Sequence, residues 1–499
     1  MNKSIKITLN PDYFLRHDKK RSYILSWHSY HNARYNGENG FNAFIHPVHA
    51  MILSFFQGND VNKTIKNVSK TLGLPIELIE NFVFPLIENN KNIGVEFAGI
   101  MFTFPKMTLI DEKKVKPEHI RNYSYDLFKY SEIDLNTHRQ YIPSDITLML
   151  NNICYTDCIY CYADRRNKMQ TSLSIKRIKE LIDEAKNIQV RSFELAGGEI
   201  FLYPKWEEIL KYLKKKQLEL PYISTKLPIS TDIVEKLHNL KLDIIQISLD
   251  TLIENNLKTV INVKSNYIDK IKNTIFTLEK YGINIIIHTI LTKYNSNIED
   301  IESIFNFLLT VKNINIWRID LAEHTMYKEK ESFNNFKIAE SQKIPLLKYF
   351  EKIKKQSKFE IEYNLNIETY TLDKINKISN FKNRNLCSGN LSYMYILPDG
   401  NVTICEELYW QPNFILGNVS QNSIKEVWNS KKANKLFYLK QENIPKDSYC
   451  HTCKEFNECR SYKHVCWKEV IRKYGIEKWY YPDPACPYAP EVPEPNLIS

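Results

Sequence analysis

Polar and apolar positions along the first hundred residues alternate, then recur at helical spacing, then alternate again. Residues 13–27 (YFLRHDKKRSYILSW) alternate about a charged tetrad at 17–20, which predicts a hairpin. Helical periodicity follows over 47–56, 61–72 and 76–88, the last entered through Leu74-Pro75, and 93–103 alternates like a closing wing. Residues 106–143 carry many charges and few apolar clusters and are read as a connector. From Asp145 onward the pattern is strand then helix, repeated. Candidate strands are 146–150, 192–195, 222–225, 244–249, 283–291 and 314–319, with amphipathic runs at 174–187, 206–215, 232–240, 267–281 and 297–311. Six such units imply a parallel, right-handed, curved sheet. A charged, helix-like bridge from Phe333 to about Lys377 precedes the last domain. The division expected is 1–105, 106–143 (connector), 144–330 (barrel), 331–380 (bridge) and 381–499.

Composition adds three constraints. A chain of 499 residues with 43% hydrophobic and 25% charged content is a multidomain globular protein. Its amino terminus lacks the apolar core of a signal peptide, and no run reaches the ~18 apolar residues of a membrane span, so a cytoplasmic protein without a membrane partner is expected. The net charge of +10 comes from 68 basic residues scattered among 58 acidic ones, with no arginine-rich run, and nucleic acid is not an expected partner.

All ten cysteines fall in two places, three at 154–161 and seven between 387 and 486. Cys154, Cys158 and Cys161 are spaced C-x3-C-x2-C directly after the first barrel strand. Such a loop can hold three corners of a cubane iron-sulfur cluster and leave one iron open. Zinc prefers paired C-x2-C units and closed tetrahedra, which fit this spacing poorly.

With Tyr160 in its aromatic position, the loop resembles the signature of the radical SAM superfamily. The resemblance implies a partial (β/α)6 barrel with its chemistry at the carboxyl ends of the strands. It also implies a [4Fe-4S] cluster whose open iron binds S-adenosyl-L-methionine, cleaved to a 5'-deoxyadenosyl radical that abstracts hydrogen from a substrate. Gly197-Gly198-Glu199, after the second strand, resembles the family's GGE motif: the glycines let the backbone approach the methionyl part and Glu199 meets its ammonium. Ile200 stands where the family commonly has Pro. The same resemblance makes Ser248 a candidate for the cofactor ribose and Arg318 for its carboxylate, ahead of Asp250 or Lys226.

The later cysteines read Cys387-x12-Gly400-x4-Cys405, then Cys450-x2-Cys453-x5-Cys459-x6-Cys466-x19-Cys486. With Pro398-Asp399-Gly400 inside a hairpin (MYILPDGNVTIC), they resemble the SPASM extension of radical SAM peptide maturases. Carried over, Cys450, Cys453, Cys459 and Cys486 hold an outer auxiliary cluster, and Cys387, Cys405 and Cys466 hold an inner one with an iron lacking a Cys. The family usually has x3 where Cys459 to Cys466 has x6. The open position suits a substrate thiolate; His464, His451, Asp483 or water are the alternatives. A zinc ribbon is the competing use of Cys450-x2-Cys453.

The front hairpin and three helices, with HPVHAMILSFFQGN, resemble the RiPP recognition element, a winged-helix-like module that binds the leader of a ribosomally made peptide by strand addition to the hairpin edge. Together these resemblances imply a maturase of a ribosomally synthesised precursor peptide, served by an electron donor such as flavodoxin or ferredoxin. Its first expected product is an intramolecular thioether, then another cross-link, then an epimer. Formylglycine formation of the sulfatase-maturase type is the enzyme alternative, and a zinc-stabilised binding module the non-enzyme one. No general acid or base is nominated.

Overall fold

The structure, a computed structural model, describes residues 5–27, 33–135, 139–164, 168–263, 266–327, 330–365, 381, 387–462 and 465–491. Contacts divide the chain into two compact units, Met1–Asp145 with Ala185–Ser192, and Ile146–Glu184 with Phe193–Ser499. Among the described residues no helix is long and apolar enough to cross a membrane.

In the first unit β1 (Lys6–Leu9) is followed by the hairpin β2 (Tyr13–Asp18) and β3 (Arg21–Ser26), paired antiparallel, and β4 (Asn42–Ile45) pairs along β3. Helices α1 (Pro47–Ser54), α2 (Val61–Leu72) and α3 (Ile76–Val83) follow, with β5 (Gln57–Asp60) between the first two. Asp60 caps α2 through Lys63 N–H at 2.8 Å, and Gly73 closes it at φ +68°, a left-handed position suited to glycine. The wing is β6 (Ile93–Phe97) with β7 (Ile100–Phe104). Ile24, Leu53, Phe56, Val68, Ile79 and Phe104 belong to one buried core, each such side chain contributing about 1.5–3 kcal/mol by leaving water.

One expectation gains detail here and another changes. Of the hairpin's two edges, β4 covers the β3 side and β2 stays terminal, so β2 and β4 are the terminal strands of this sheet. Residues 106–143, expected as a connector, supply β8 (Leu109–Asp111), which pairs with β1. The same stretch straps β2: the Asp18 carboxylate accepts from Tyr141 and Ile142 N–H, and fully buried Arg16 donates to Gln140 Oε1 at 2.7 Å. Arg16 and Asp18 are therefore interior, because a side-chain oxygen and backbone N–H groups of the strap meet them.

The second unit holds the barrel strands. β9 (Asp145–Met149) and β10 (Ser192–Ala196) share a sheet with β16 (Tyr393–Ile396), β17 (Asn401–Thr403) and β18 (Gly417–Asn418), so the carboxyl-terminal hairpin extends the first barrel strand. β11 (Ser224–Thr225), β12 (Ile244–Ser248), β13 (Asn284–Leu291), β14 (Ile314–Leu321) and β15 (Glu360–Asn364) form a wholly parallel second sheet. β15 falls within the expected helical bridge; residues 366–380 of that bridge lie outside the described residues. Helices α4 (Ile175–Asn187), α5 (Trp206–Lys215) and α6 (Thr231–Asn239) match the amphipathic runs, as do α8 (Tyr267–Lys280) and α9 (Ile298–Leu308), while α7 (Glu254–Ile261) was not foreseen.

Candidate functional site: cysteine loops and their supports

The first cysteine loop leaves β9 and is pinned by α7. Asp157 N–H donates to Ile261 O at 2.9 Å and Ile159 N–H to Val260 O at 3.0 Å, so the end of that helix fixes the loop between Cys154 and Cys161. Cys158 is buried, with its sulfur 3.3 Å from Thr156 Oγ1. Asn151 staples the loop to the second strand: its amide donates to Glu199 O at 3.0 Å and its carbonyl oxygen accepts from Gly198 N–H at 2.8 Å.

This contact explains both glycines. A Cβ on Gly198 would lie 2.3 Å from Ile153 O, and one on Gly197 2.9 Å from Asn151 O. Their smallness lets the second loop lie against the cysteine loop. Glu199 is 3% exposed and accepts from Thr225 Oγ1 at 2.8 Å and Lys226 N–H at 3.3 Å; burial pushes its carboxyl up.

Tyr160 points to a buried pair. Its hydroxyl donates to Asp250 Oδ2 at 2.6 Å, and Lys226 Nζ reaches the same oxygen at 2.5 Å while also contacting the Tyr160 hydroxyl. The ammonium lies 5.1 Å from the Tyr160 ring centre. Burial alone would lower the Lys226 pKa, but Asp250, Cys158 and Cys161 more than offset it and hold the amine charged. Lys226 and Asp250, ranked behind Ser248 and Arg318 in the sequence, are thus joined directly to the cysteine loop.

Ser248 and Arg318 lie on one register row that crosses four strands, Ser248–His288–Arg318–Glu362. Arg318 Nε donates to Glu362 Oε2 at 3.0 Å, and both side chains stay about two-fifths exposed (38% and 41%). His288 Nε2 lies 2.9 Å from Asp320 Oδ2, which lowers the Asp320 pKa. The row is a polar stripe with its guanidinium already facing a carboxylate. β15, which supplies Glu362, was invisible in a stretch read as helical.

The later cysteines separate into two groups. Cys450, Cys453, Cys459 and Cys486 line one cavity with Phe456, Arg460 and Asp483 among its walls. Burial pushes the Cys486 thiol up to about 11, with the other three cysteines of the cavity adding to it. Cys387 acts on both Cys405 and Cys466, whose thiols burial holds at about 12 and about 11. Bound iron would have to displace those protons. Among the described residues no three such groups converge as they would around a single ion. The four thiols line one cavity. None of the ten cysteines is in a disulfide.

Of the candidate extra ligands, Asp483 is committed elsewhere: Oδ2 accepts from Cys466 N–H at 2.9 Å and Oδ1 from Ala485 N–H at 2.8 Å. It ties the inner group to the segment carrying Cys486. His451 Nδ1 lies 2.6 Å from Ile444 O, and His464 lies outside the described residues.

The first loop and the inner group meet through their following residues. Tyr162, next to Cys161, and Glu406, next to Cys405, act on each other electrostatically. Glu406 and burial raise the Tyr162 hydroxyl, while burial raises the Glu406 carboxyl. Tyr162 remains 47% exposed. Sequence reasoning missed both residues; their positions beside cysteines were the available signal.

Two family models match the chain, the radical SAM superfamily over residues 148–308 and the iron-sulfur cluster-binding SPASM domain over 387–454. Among known proteins, the antilisterial bacteriocin subtilosin biosynthesis protein AlbA of Bacillus subtilis (strain 168) is 23% identical over 324 residues, covering 62% of this chain and 67% of that protein. A probable GTP 3',8-cyclase of Sulfurisphaera tokodaii is 24% identical over 263 residues, covering 52% of this chain and 80% of its own length. Among solved structures, Streptococcus suis SuiB bound to the precursor peptide SuiA shares the fold, with a TM-score of 0.62 at 14% identity over 96% of this chain and 99% of that one. The cysteine loop with its GGE turn lies in the first matched model, and Cys387, Cys405, Cys450 and Cys453 lie in the second; both domains imply [4Fe-4S] clusters, so the chain is an enzyme that carries a radical SAM domain and a SPASM domain.

Proposed function

We propose that this enzyme modifies a ribosomally synthesised precursor peptide, holding the leader on its first unit while the core enters the barrel, and joins two core residues in a cross-link, a thioether first among the products. The observation that carries the reading is one buried cluster, Met149, Tyr395, Leu397 and Tyr409 with Ala163 packed against it, which sets the chain just after the barrel's cysteine loop beside the chain just after Cys405 of the inner group. A peptide side chain between them would face both. The relation to AlbA, a bacteriocin biosynthesis protein, and the fold shared with a precursor-bound SuiB support a peptide substrate.

When bound at Cys154, Cys158 and Cys161, a [4Fe-4S] cluster with S-adenosyl-L-methionine supplies the radical that abstracts hydrogen. The Tyr160–Lys226–Asp250 pairings hold the loop in shape, and Glu199 presents a carboxylate beside it. Ser248 offers a hydroxyl to the cofactor ribose, and Arg318 its remaining N–H donors to the cofactor carboxylate. Cys387, Cys405 and Cys466 form the inner group, whose position without a Cys suits a substrate thiol; Cys450, Cys453, Cys459 and Cys486 form the outer one.

The terminal strand β4, whose Asn42 is exposed, is the edge to which a leader strand would add. Tethering there raises the local concentration of a weakly binding core. Ten cysteines outside any disulfide fit a reducing cytoplasm, where a flavodoxin or ferredoxin would deliver electrons.

The test is anaerobic reconstitution with iron and sulfide, then assay of 5'-deoxyadenosine with and without peptide. Cys158→Ala is expected to abolish cofactor cleavage. Cys405→Ala is expected to keep it and lose the cross-link. Normal cross-linking by Cys405→Ala would refute the role of the inner group.

A further inference from the structure

The outer cysteine cavity has a cation built into its wall. Arg460 follows Cys459 directly on the helix Phe456–Tyr462 and is only 9% exposed. Its guanidinium lies 5.4 Å over the Phe456 ring, and Nη2 donates to Cys450 Sγ at 3.8 Å. Much of the remaining wall is apolar, with Val465, Pro482 and Pro487 among its residues. Burying a guanidinium is expensive unless a negative group faces it. Here the group it faces is the Cys450 sulfur, which would carry negative charge as a ligand to iron.

The inner group has different surroundings. Glu406 and Glu407 act on Cys405, and Glu469 and Lys468 on Cys466, with Lys468 itself paired to Glu407 at 2.6 Å. The cation beside the inner group is thus already held by a carboxylate, whereas Arg460 donates to a cysteine sulfur.

We propose that Arg460 poises the outer site: through its hydrogen bond to Cys450 Sγ it raises the reduction potential of an iron-sulfur cluster held by Cys450, Cys453, Cys459 and Cys486. The inference rests on those four cysteines holding a cluster. Four thiolates make such a cluster strongly anionic, and reduction adds a further negative charge. A buried cation at the sulfur stabilises the more negative state more, and hydrogen bonds to cluster sulfurs and net charge are among the terms that set the potential.

The test is an anaerobic potentiometric titration of the full-length reconstituted protein, followed by electron paramagnetic resonance, with iron and acid-labile sulfide measured per chain. Wild type is compared with Arg460→Met, Arg460→Gln and Arg460→Lys. One cluster signal is expected to move to more negative potential in the Met and Gln proteins and to stay near wild type in the Lys protein. The other signals should not move. No shift in an iron-replete Gln protein, or an equal shift of every signal, overturns the proposal. Should the Met protein lose iron, the Gln protein carries the comparison, because it keeps a donor and removes the charge. Failure of the underlying assignment reads differently: Cys450→Ala would then leave the iron and sulfide content of the wild-type protein unchanged.

Discussion

Lys226 Nζ sits 2.5 Å from the Asp250 carboxylate, and both groups close on the Tyr160 hydroxyl in the middle of the cysteine loop. Three loops, following the first, third and fourth barrel strands, are thereby fastened at one buried point. Asp250 is fully buried and Lys226 is 15% exposed at its side chain, so neither charge has water to fall back on. Lys226→Met should destabilise the protein by about 3–5 kcal/mol, the cost of leaving one partner of a buried pair alone. Lys226→Met/Asp250→Asn should cost less than the two single changes summed. Urea unfolding of the three proteins checks both statements.

Gly198 tolerates no side chain, because its Cβ would meet backbone atoms of Ile153 and not the tip of a flexible chain. Gly198→Ala should cost about 1–3 kcal/mol, more than Gly197→Ala. It should also displace the cysteine loop and cut 5'-deoxyadenosine formation before it unfolds the protein. Comparing cofactor cleavage with the denaturation midpoint separates the two effects.

The first unit carries a titration of its own. His49 is 3% exposed, stacks on Phe82 at 4.5 Å, and has a buried Nδ1 without a hydrogen-bond partner; burial lowers its pKa to about 3, with His46 adding to the shift. A depressed folded pKa gives stability that is present above the unfolded value near 6.5 and is lost as pH falls toward 3. Each pH unit lost in that window should cost about 1.4 kcal/mol, and His49→Phe should flatten the dependence. Denaturant midpoints measured between pH 7 and pH 5 test the sign.

Asp483 joins the two carboxyl-terminal cysteine groups through backbone N–H donors of Cys466 and Ala485. Asp483→Ala leaves both donors without their acceptor, a loss of about 1–3 kcal/mol for each buried group left unsatisfied. Iron per chain should fall by more than one cluster's worth, and Asp483→Asn should restore part of it. Full iron in the alanine protein would mean that the link is dispensable.

Periodicity located most of the elements because their apolar faces are amphipathic: α2 and α5 begin and end where the pattern does. The cysteine partition came from the resemblance to the SPASM extension, and Cys450, Cys453, Cys459 and Cys486 line one cavity. What escaped was decided by distant partners. α7 has a modest apolar face and gains its purpose from holding Asp157 and Ile159 by its last carbonyls. Arg16 and Asp18 are buried by a strap more than a hundred residues later, a partner that the local pattern does not contain. Glu362 lies on a short strand that only its pairing with β14 makes a strand. Lys226 and Asp250 were visible as polar residues at strand ends, a position that usually means a cap or a turn; their mutual distance could be seen only in three dimensions.

The central claim is that this enzyme cross-links a precursor peptide, and peptide mass tests it most directly. The protein is produced anaerobically with each short reading frame encoded beside its gene, and the peptide is weighed before and after alkylation of free thiols. Loss of two hydrogens per link, together with a thiol that no longer alkylates, is the predicted result. A peptide of unchanged mass, without deuterium uptake, from an iron-loaded enzyme that cleaves its cofactor would contradict it.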